Sequence, residues 1–342
     1  MVILNGRASL VLCCCLLLSS CWSPVFDPDV SLATVTAAKL SKDVEFELND
    51  SFGQNTEDYW AVPSRERTPQ WVAVFGLRTS DFAVQVCQNS GGSWNSIQSG
   101  LSYDSPLSDP DVFFAVPGPT GASFSLAIGL PTNSGGKLAV YSSASSSFGT
   151  PVSETGLLGI ASESTSSGAA TYYFATSVSP TFTLYTSGLT TTPPWPTSST
   201  PLASGSLTAT YGWVAYDSTS QIVYLTHHDP DSSGKYQTDK ISTSGSLTIT
   251  ASWTRPDRVV AFLTNGKLLT REGGYYNVCD GAGIIQYTFA AGDLKFADEY
   301  FDESNTARVA FTQVESTDGS QSGNNLRVRV YSIETSKLDS LK

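Results

Sequence analysis

Residues 211–226 read Tyr211-Gly-Trp-Val-Ala-Tyr-Asp-Ser-Thr-Ser-Gln-Ile-Val-Tyr-Leu-Thr226. Two short runs rich in aromatic and β-branched residues flank a small polar cluster, the pattern of two strands joined by a turn. The first run sets a small residue, Ala215, among bulky ones, and variants of it recur along the chain. They are Trp71-Val-Ala-Val-Phe75, Val112-Phe-Phe-Ala-Val116, Leu157-Leu-Gly-Ile-Ala161, Arg258-Val-Val-Ala-Phe262 and Ala307-Arg-Val-Ala-Phe311. The starts at 71, 112, 157, 211, 258 and 307 are 41, 45, 54, 47 and 49 residues apart, and each of the first five is followed by further apolar runs. Such a period, with several strands per unit, fits a propeller blade of four antiparallel strands. The small residue of each copy (Ala73, Ala115, Gly159, Ala215, Ala261, Ala310) suits an innermost strand, where blades crowd towards an axis. The expectation is therefore an all-β fold, a six-bladed β-propeller of four-stranded antiparallel blades. A β-sandwich, or two tandem β domains, is the alternative with similarly spaced strands.

The rest of the chain agrees with an all-β reading. Alternation is clear in Phe82–Cys87, Lys137–Tyr141 and Leu326–Tyr331, and Gly/Asn-rich turns such as Asn89-Ser-Gly-Gly92 and Thr264-Asn-Gly266 lie between such runs. No stretch holds a helical apolar period for three turns. The last start leaves only residues 307–342, short for four strands. Val44-Glu-Phe-Glu-Leu48 alternates and sits at the other end of the chain, so it is expected to close the ring. The repeat carries no Trp-Asp or kelch-type signature and so points to no named propeller family.

Composition limits the function. Only 15% of the 342 residues are charged, and 19 basic against 31 acidic residues give a net charge of −12. That balance argues against a nucleic-acid partner and against electrostatic attachment to anionic lipid. Two His and one Met leave little material for imidazole chemistry, and no cofactor is expected.

The N-terminus reads as an address. Arg7 precedes an apolar run, Ala8–Leu18, that would span roughly 16 Å as a helix, well short of the about 20 residues a bilayer core needs. A positive charge, a short apolar stretch and small residues form a secretory signal. Leu18-Ser-Ser-Cys21 resembles the lipobox of bacterial lipoproteins. That resemblance, confined to residues 1–21, implies cleavage before Cys21 and acylation of its sulfur. It also implies anchoring in the bilayer and, because Trp22 rather than Asp follows, the outer membrane. The domains are then 1–20 signal peptide, 21–43 lipidated tether and 44–342 propeller. Two cysteines remain besides Cys21 in the mature part, Cys87 and Cys279; an exported location would permit a disulfide between them, and the alternative is two buried free thiols, each a small apolar residue in a strand.

Candidate sites divide into several groups. In His227-His-Asp-Pro-Asp-Ser-Ser-Gly234, the residues Asp229, Asp231 and Ser233 match the first half of a calcium loop. The twelfth position of that pattern is Lys240 instead of a carboxylate, and no helices flank the loop, so a polar hairpin turn is the better reading of the segment. Asp298-Glu-Tyr-Phe-Asp-Glu303 could pair carboxylates as in glycoside hydrolysis or form a solvated loop. Neither the Gly-x-Ser-x-Gly of a serine hydrolase nor the repeated Ser-x-Asp-x-Gly-x-Thr-Trp of sialidase-like propellers is present. Trp195, set among the prolines of Thr190–Pro201, marks an inserted segment in which the indole either contacts a partner or folds back to plug a blade end. Trp60, Trp71, Trp94, Trp213 and Trp253 are candidates for sugar stacking or core packing. The expectation is a non-catalytic, membrane-anchored envelope scaffold that binds a protein partner. The alternative is an envelope carbohydrate-binding module or glycan-active enzyme.

Overall fold

The computed structural model describes residues 39–49, 52, 56–78, 81–104, 114–117, 125–132, 135–143, 145–148, 152–154, 157–164, 170–178, 181–187, 201–206, 212–228, 235–244, 247–317 and 325–342. Apart from β1 (Ser41–Asn49), the strands form sheets in chain order. The first sheet holds β2 (Thr56–Pro63), β3 (Trp71–Arg78), β4 (Asp81–Ser90) and β5 (Ser93–Asp104). The second holds β6 (Phe114–Pro117), β7 (Ser125–Thr132), β8 (Gly135–Ser142), the two-residue β9 (Ser147–Phe148) and β10 (Val152–Glu154). The third holds β11 (Leu157–Ser164), β12 (Ala170–Val178), β13 (Thr181–Ser187) and β14 (Pro201–Ser206). The fourth is β15 (Gly212–Asp217), β16 (Ile222–His228), β17 (Tyr236–Ser242) and β18 (Thr248–Arg255). The fifth is β19 (Arg258–Phe262), β20 (Leu268–Glu272), β21 (Tyr275–Cys279) and β22 (Ile285–Ala290). The sixth takes β23 (Ala297–Phe301), β24 (Ala307–Ser316) and β25 (Asn325–Glu334) from the C-terminal end, and β1 as its outermost strand. A C-terminal 3₁₀ helix, Thr335–Leu341, packs on β24 and β25.

All pairings are antiparallel, and the sheets are joined in sequence into a ring. First strands touch successively, β2 with β6, β6 with β11, and on through β15, β19 and β23, while β24 returns to β2. Apolar cores fill the spaces between neighbouring sheets. Leu184, Val214 and Leu225 join the third and fourth sheets; Tyr224, Val259 and Leu268 join the fourth and fifth. Val278, Phe289 and Phe311 join the fifth and sixth. Sheet faces buried on both sides and arranged head to tail are a β-propeller, and no sandwich of two stacked sheets is formed by the described strands.

Small residues in the first strands have a visible cause. A Cβ added at Gly159 in β11 would lie 2.6 Å from the Gly212 carbonyl of β15, so only glycine lets these two strands approach. Threonines add hydrogen bonds between sheets. The Val259 amide donates to Thr226 Oγ1 at 3.2 Å, and Thr312 Oγ1 donates to the Ala61 carbonyl at 2.9 Å.

Two of the six expected inner strands are second strands instead. Trp71–Phe75 lies in β3 and Ala307–Phe311 in β24, each preceded by a strand that carries carboxylates, β2 with Asp58 and β23 with Asp298 and Glu299. Acidic residues in these two strands disguise them as loops. The structure tolerates Asp58, Asp298 and Glu299 because each has a cation or hydroxyl partner. The strand set at the N-terminus begins at Ser41 rather than Val44.

Ring closure follows the expectation from Val44–Leu48. β1 pairs with β25 along Ser41–Asn49, placing Phe46 opposite Val328, Glu45 opposite Arg329 and Glu47 opposite Arg327. Val44 and Phe46 point inward to join Val72, Val74 and Cys87 of the first sheet, and Phe46 stacks on Trp94 with centroids 4.1 Å apart. The outward face carries Arg329–Glu45 at 3.0 Å and Arg327–Glu47 at 2.7 Å. Buried aromatic area dominates over such exposed pairs. Phe46→Ala is therefore expected to cost about 3–5 kcal/mol in urea unfolding, whereas Glu47→Ala should leave the midpoint almost unmoved. Equal effects would contradict this ordering.

Candidate functional site

Around the axis the inner strands leave a cavity of about 370 Å³. Its wall comes from β2, β11, β15, β19 and β23 and from the residues just before β23. Val62, Ile160, Val214, Val259 and Phe262 give it apolar sides, and the indoles of Trp60 and Trp213 also face it. One end is bordered by two turns whose residues Thr219, Ser220, Thr264 and Gly266 are exposed, and this is the mouth. Asp217 shapes the first of these turns, its Oδ1 accepting from the amides of Thr219 at 3.0 Å and Ser220 at 3.1 Å.

The polar groups of the wall are held by contacts between sheets. Glu299 of β23 accepts from the Thr264 amide at 2.7 Å, from Thr264 Oγ1 at 3.1 Å and from Thr335 Oγ1 at 2.6 Å. Those bonds tie the sixth sheet to the turn after β19 and to the C-terminal 3₁₀ helix. Burial raises the Glu299 carboxyl above its ordinary range, while the three hydrogen bonds oppose the rise. Asp298 pairs with Arg65, whose Nε lies 2.8 Å away and whose side chain is only 2% exposed. Lys295 binds Asp58, which also accepts from Trp60 Nε1 at 3.3 Å. Burial pulls the Lys295 ammonium down to about 8. Arg258 is buried with its guanidinium 4.8 Å from the centre of the Trp213 ring.

The residues singled out from sequence are distributed unevenly. Trp60, Trp213, Asp298 and Glu299 come together at the cavity. The acidic segment is thus not a solvated loop: its first residues form β23, and Glu299 is buried. Trp71 lies in the core between the first and second sheets, Trp94 against Phe46, and Trp253 against Gly283 beside the fourth–fifth core. Cys21, Trp195, Asp229, Asp231 and Ser233 lie outside the described residues. Among the described residues no group of three or more His, Cys, Asp or Glu side chains is placed to hold a metal ion.

Cys87 and Cys279 are both buried free thiols, not a disulfide. Cys87 belongs to the core between the sixth and first sheets, and Cys279 to the core between the fourth and fifth. Each packs as a small apolar residue. Burial pushes the Cys87 thiol up to about 12 and also raises that of Cys279.

Sequence reasoning overlooked Arg65, Asp58, Lys295 and the role of Arg258. None lies in a motif, because partners such as Arg65 and Asp298 are more than two hundred residues apart. It also overlooked a buried set in the fourth sheet. Asp239 is fully buried and accepts from Gln237 Nε2 at 2.8 Å and Ser252 Oγ at 2.6 Å, with His227 Nε2 at 3.1 Å. Burial alone would raise the Asp239 carboxyl, but hydrogen bonds from His227, Gln237 and Ser252 outweigh it and hold it below its usual range. Ser252 binds the carboxylate rather than the imidazole. The order is thus unlike that of a hydrolase triad, in which the imidazole activates the hydroxyl. These bonds lock β16, β17 and β18 together.

The two acids respond oppositely to pH. Asp239, held low, stabilises the fold above the unfolded carboxylate range and loses that contribution as pH falls through its lowered value. Glu299, held high, binds its proton more tightly in the folded state, so its contribution grows as pH falls from neutral. Glu299→Gln should remain within about 1 kcal/mol of the parent at pH 7, and Glu299→Ala should lose roughly 2–3 kcal/mol by stranding its donors. In urea unfolding, the parent's advantage over Glu299→Gln should widen between pH 7 and pH 5. A narrowing would contradict the assignment.

No protein-family model matches the chain, and no curated protein matches it. Solved structures similar to it are of low identity. TolB from Acinetobacter baumannii is 12% identical with a TM-score of 0.34, over 81% of this chain and 55% of that one. The PQQ-bound aldose sugar dehydrogenase of Streptomyces coelicolor is 11% identical with a TM-score of 0.43, over 86% of this chain and 100% of that one. The Dos1 propeller is 10% identical with a TM-score of 0.40, over 86% of this chain and 95% of that one. This chain thus spans little more than half the TolB chain, and likenesses of this degree do not bear on what the cavity does.

Proposed function

We propose that this chain is an exported envelope lipoprotein in which a six-bladed β-propeller, held by an acylated Cys21 on a short tether, serves as a non-catalytic scaffold for a protein partner. The signal-like residues 1–20 and the Leu18–Cys21 pattern support the anchor. Two acyl chains, at roughly 0.8 kcal/mol per buried methylene, would hold the protein without any basic patch. Among the described residues no helix is long and apolar enough to cross a membrane. The outer membrane is the reading favoured by Trp22.

One observation carries the protein-binding role. β22 is the last strand of its sheet, and Ile284 and Ile285, side by side at its start, are 62% and 43% exposed. An edge strand offers backbone donors and acceptors, and adjacent exposed isoleucines offer apolar area, the two elements a partner strand or loop uses. The charged groups of the cavity support a rigid scaffold rather than an acid–base pair, because Asp298 and Glu299 are engaged by Arg65, Thr264 and Thr335. Trp195 is a second contact on this reading.

Cross-linking in native membranes, followed by identification of the captured protein, tests the role. Ile284→Lys with Ile285→Lys should abolish capture while leaving the thermal melt unchanged, and Trp195→Ala should weaken it. Undiminished capture by the double variant would overturn the edge as the docking surface. Cys21→Ser should move the protein from the membrane to the aqueous fraction, and continued membrane retention would overturn the anchor.

A further inference from the structure

The axial cavity has features that the partner-docking role does not use. Its size falls within the about 300–1,000 Å³ typical of small-molecule sites. Its formal charges nearly cancel, Arg258 and Lys295 standing against Asp217, Asp298 and Glu299. Arg65 and Asp58 further neutralise Asp298 and Lys295. A ligand of strong net charge therefore gains little there, whether anionic or cationic. A neutral molecule with hydroxyls and an apolar C–H face meets apolar sides together with donors and acceptors already fixed in place by contacts between sheets. Fixed groups lose little entropy when they bind, which favours small polar ligands. Trp60, with the Arg271 guanidinium over its ring at 5.7 Å, and the Arg258 guanidinium on Trp213 bring flat groups to the wall for the C–H face of a sugar ring. Exposed hydroxyls of Thr219 and Ser220 stand at the mouth, where a ligand enters.

We propose that this cavity is a binding site for a neutral saccharide of one or two rings, entered between the Ser218–Gln221 and Thr264–Gly266 turns. The site is separate from the β22 edge, so it stands or falls independently of the protein partner. Its wall residues are positioned for binding, with the acids engaged by their partners rather than arranged around a reacting atom.

The test uses the full chain in a sugar-free detergent, with tryptophan fluorescence and thermal melting as readouts. The panel is glucose, N-acetylglucosamine, maltose and chitobiose, with glucuronate as the acidic arm and glucosamine as the cationic arm. At least one neutral sugar should give a saturable change in emission and raise the melting temperature, since ligand bound only by the folded state stabilises it. Ser220→Trp, at an exposed turn position, should obstruct the mouth and weaken that sugar by about tenfold or more while the ligand-free melt stays unchanged. Thr219→Trp supplies the same obstruction from the neighbouring position. Binding by no member of the panel would overturn the proposal. So would binding of glucuronate or glucosamine alone, or unchanged affinity in both obstructed variants.

Discussion

The fold depends on one pairing, that of β1 with β25. A ring of sheets has no stable intermediate closure: until the first and last sheets meet, each leaves an apolar face in water. Here the joint is made within the sixth sheet, where eight residues of the N-terminal strand complete the ladder begun by the C-terminal strands. Val44 and Phe46 then become part of the core shared with the first sheet. The hydrogen-bonded ladder fixes the register, while the apolar face supplies the driving force. The Arg–Glu pairs outside add register specificity more than stability.

Closure also explains the chemistry at the axis. Inner strands brought together around a ring create a narrow space into which large or charged groups fit only with partners. Glycine at 159 is the apolar answer to that crowding, and the Arg65–Asp298, Lys295–Asp58 and Glu299–Thr264 contacts are the polar one. Two of these three polar links join the sixth sheet to the first, across the same seam that β1 closes, and the third joins it to the fifth. The cavity is consequently lined by groups held in place by the closure itself. Its shape and its polar surface are properties of the whole ring rather than of any single loop.

Much of this architecture was legible in the sequence, and the exceptions have a common cause. Leu157–Ala161, Gly212–Tyr216 and Val259–Phe262 lie in first strands and are made of small or apolar residues, which is what periodicity detects, and Phe114–Val116 lies in a first strand as well. β2 and β23 escaped because Asp58, Asp298 and Glu299 look solvated when their partners are far away in sequence. The shift of two openers to second strands follows from the same omission. Four of the cavity residues were visible as types, two tryptophans and two acids, but their meeting at one place was not, because it depends on ring geometry. The thiols were open to two readings in the sequence, a bridge or two buried apolar residues, and their separate cores settle it for the second.

Amide hydrogen exchange of β1 tests the closure most directly. If this strand holds the ring together, the amides of β1 that are bonded within the ladder should open with the same free energy as those of β24 and share its dependence on denaturant. Exchange of β1 at rates near those of an unstructured peptide, with β24 and β3 still fully protected, would show a ring that stands without it and would contradict the account.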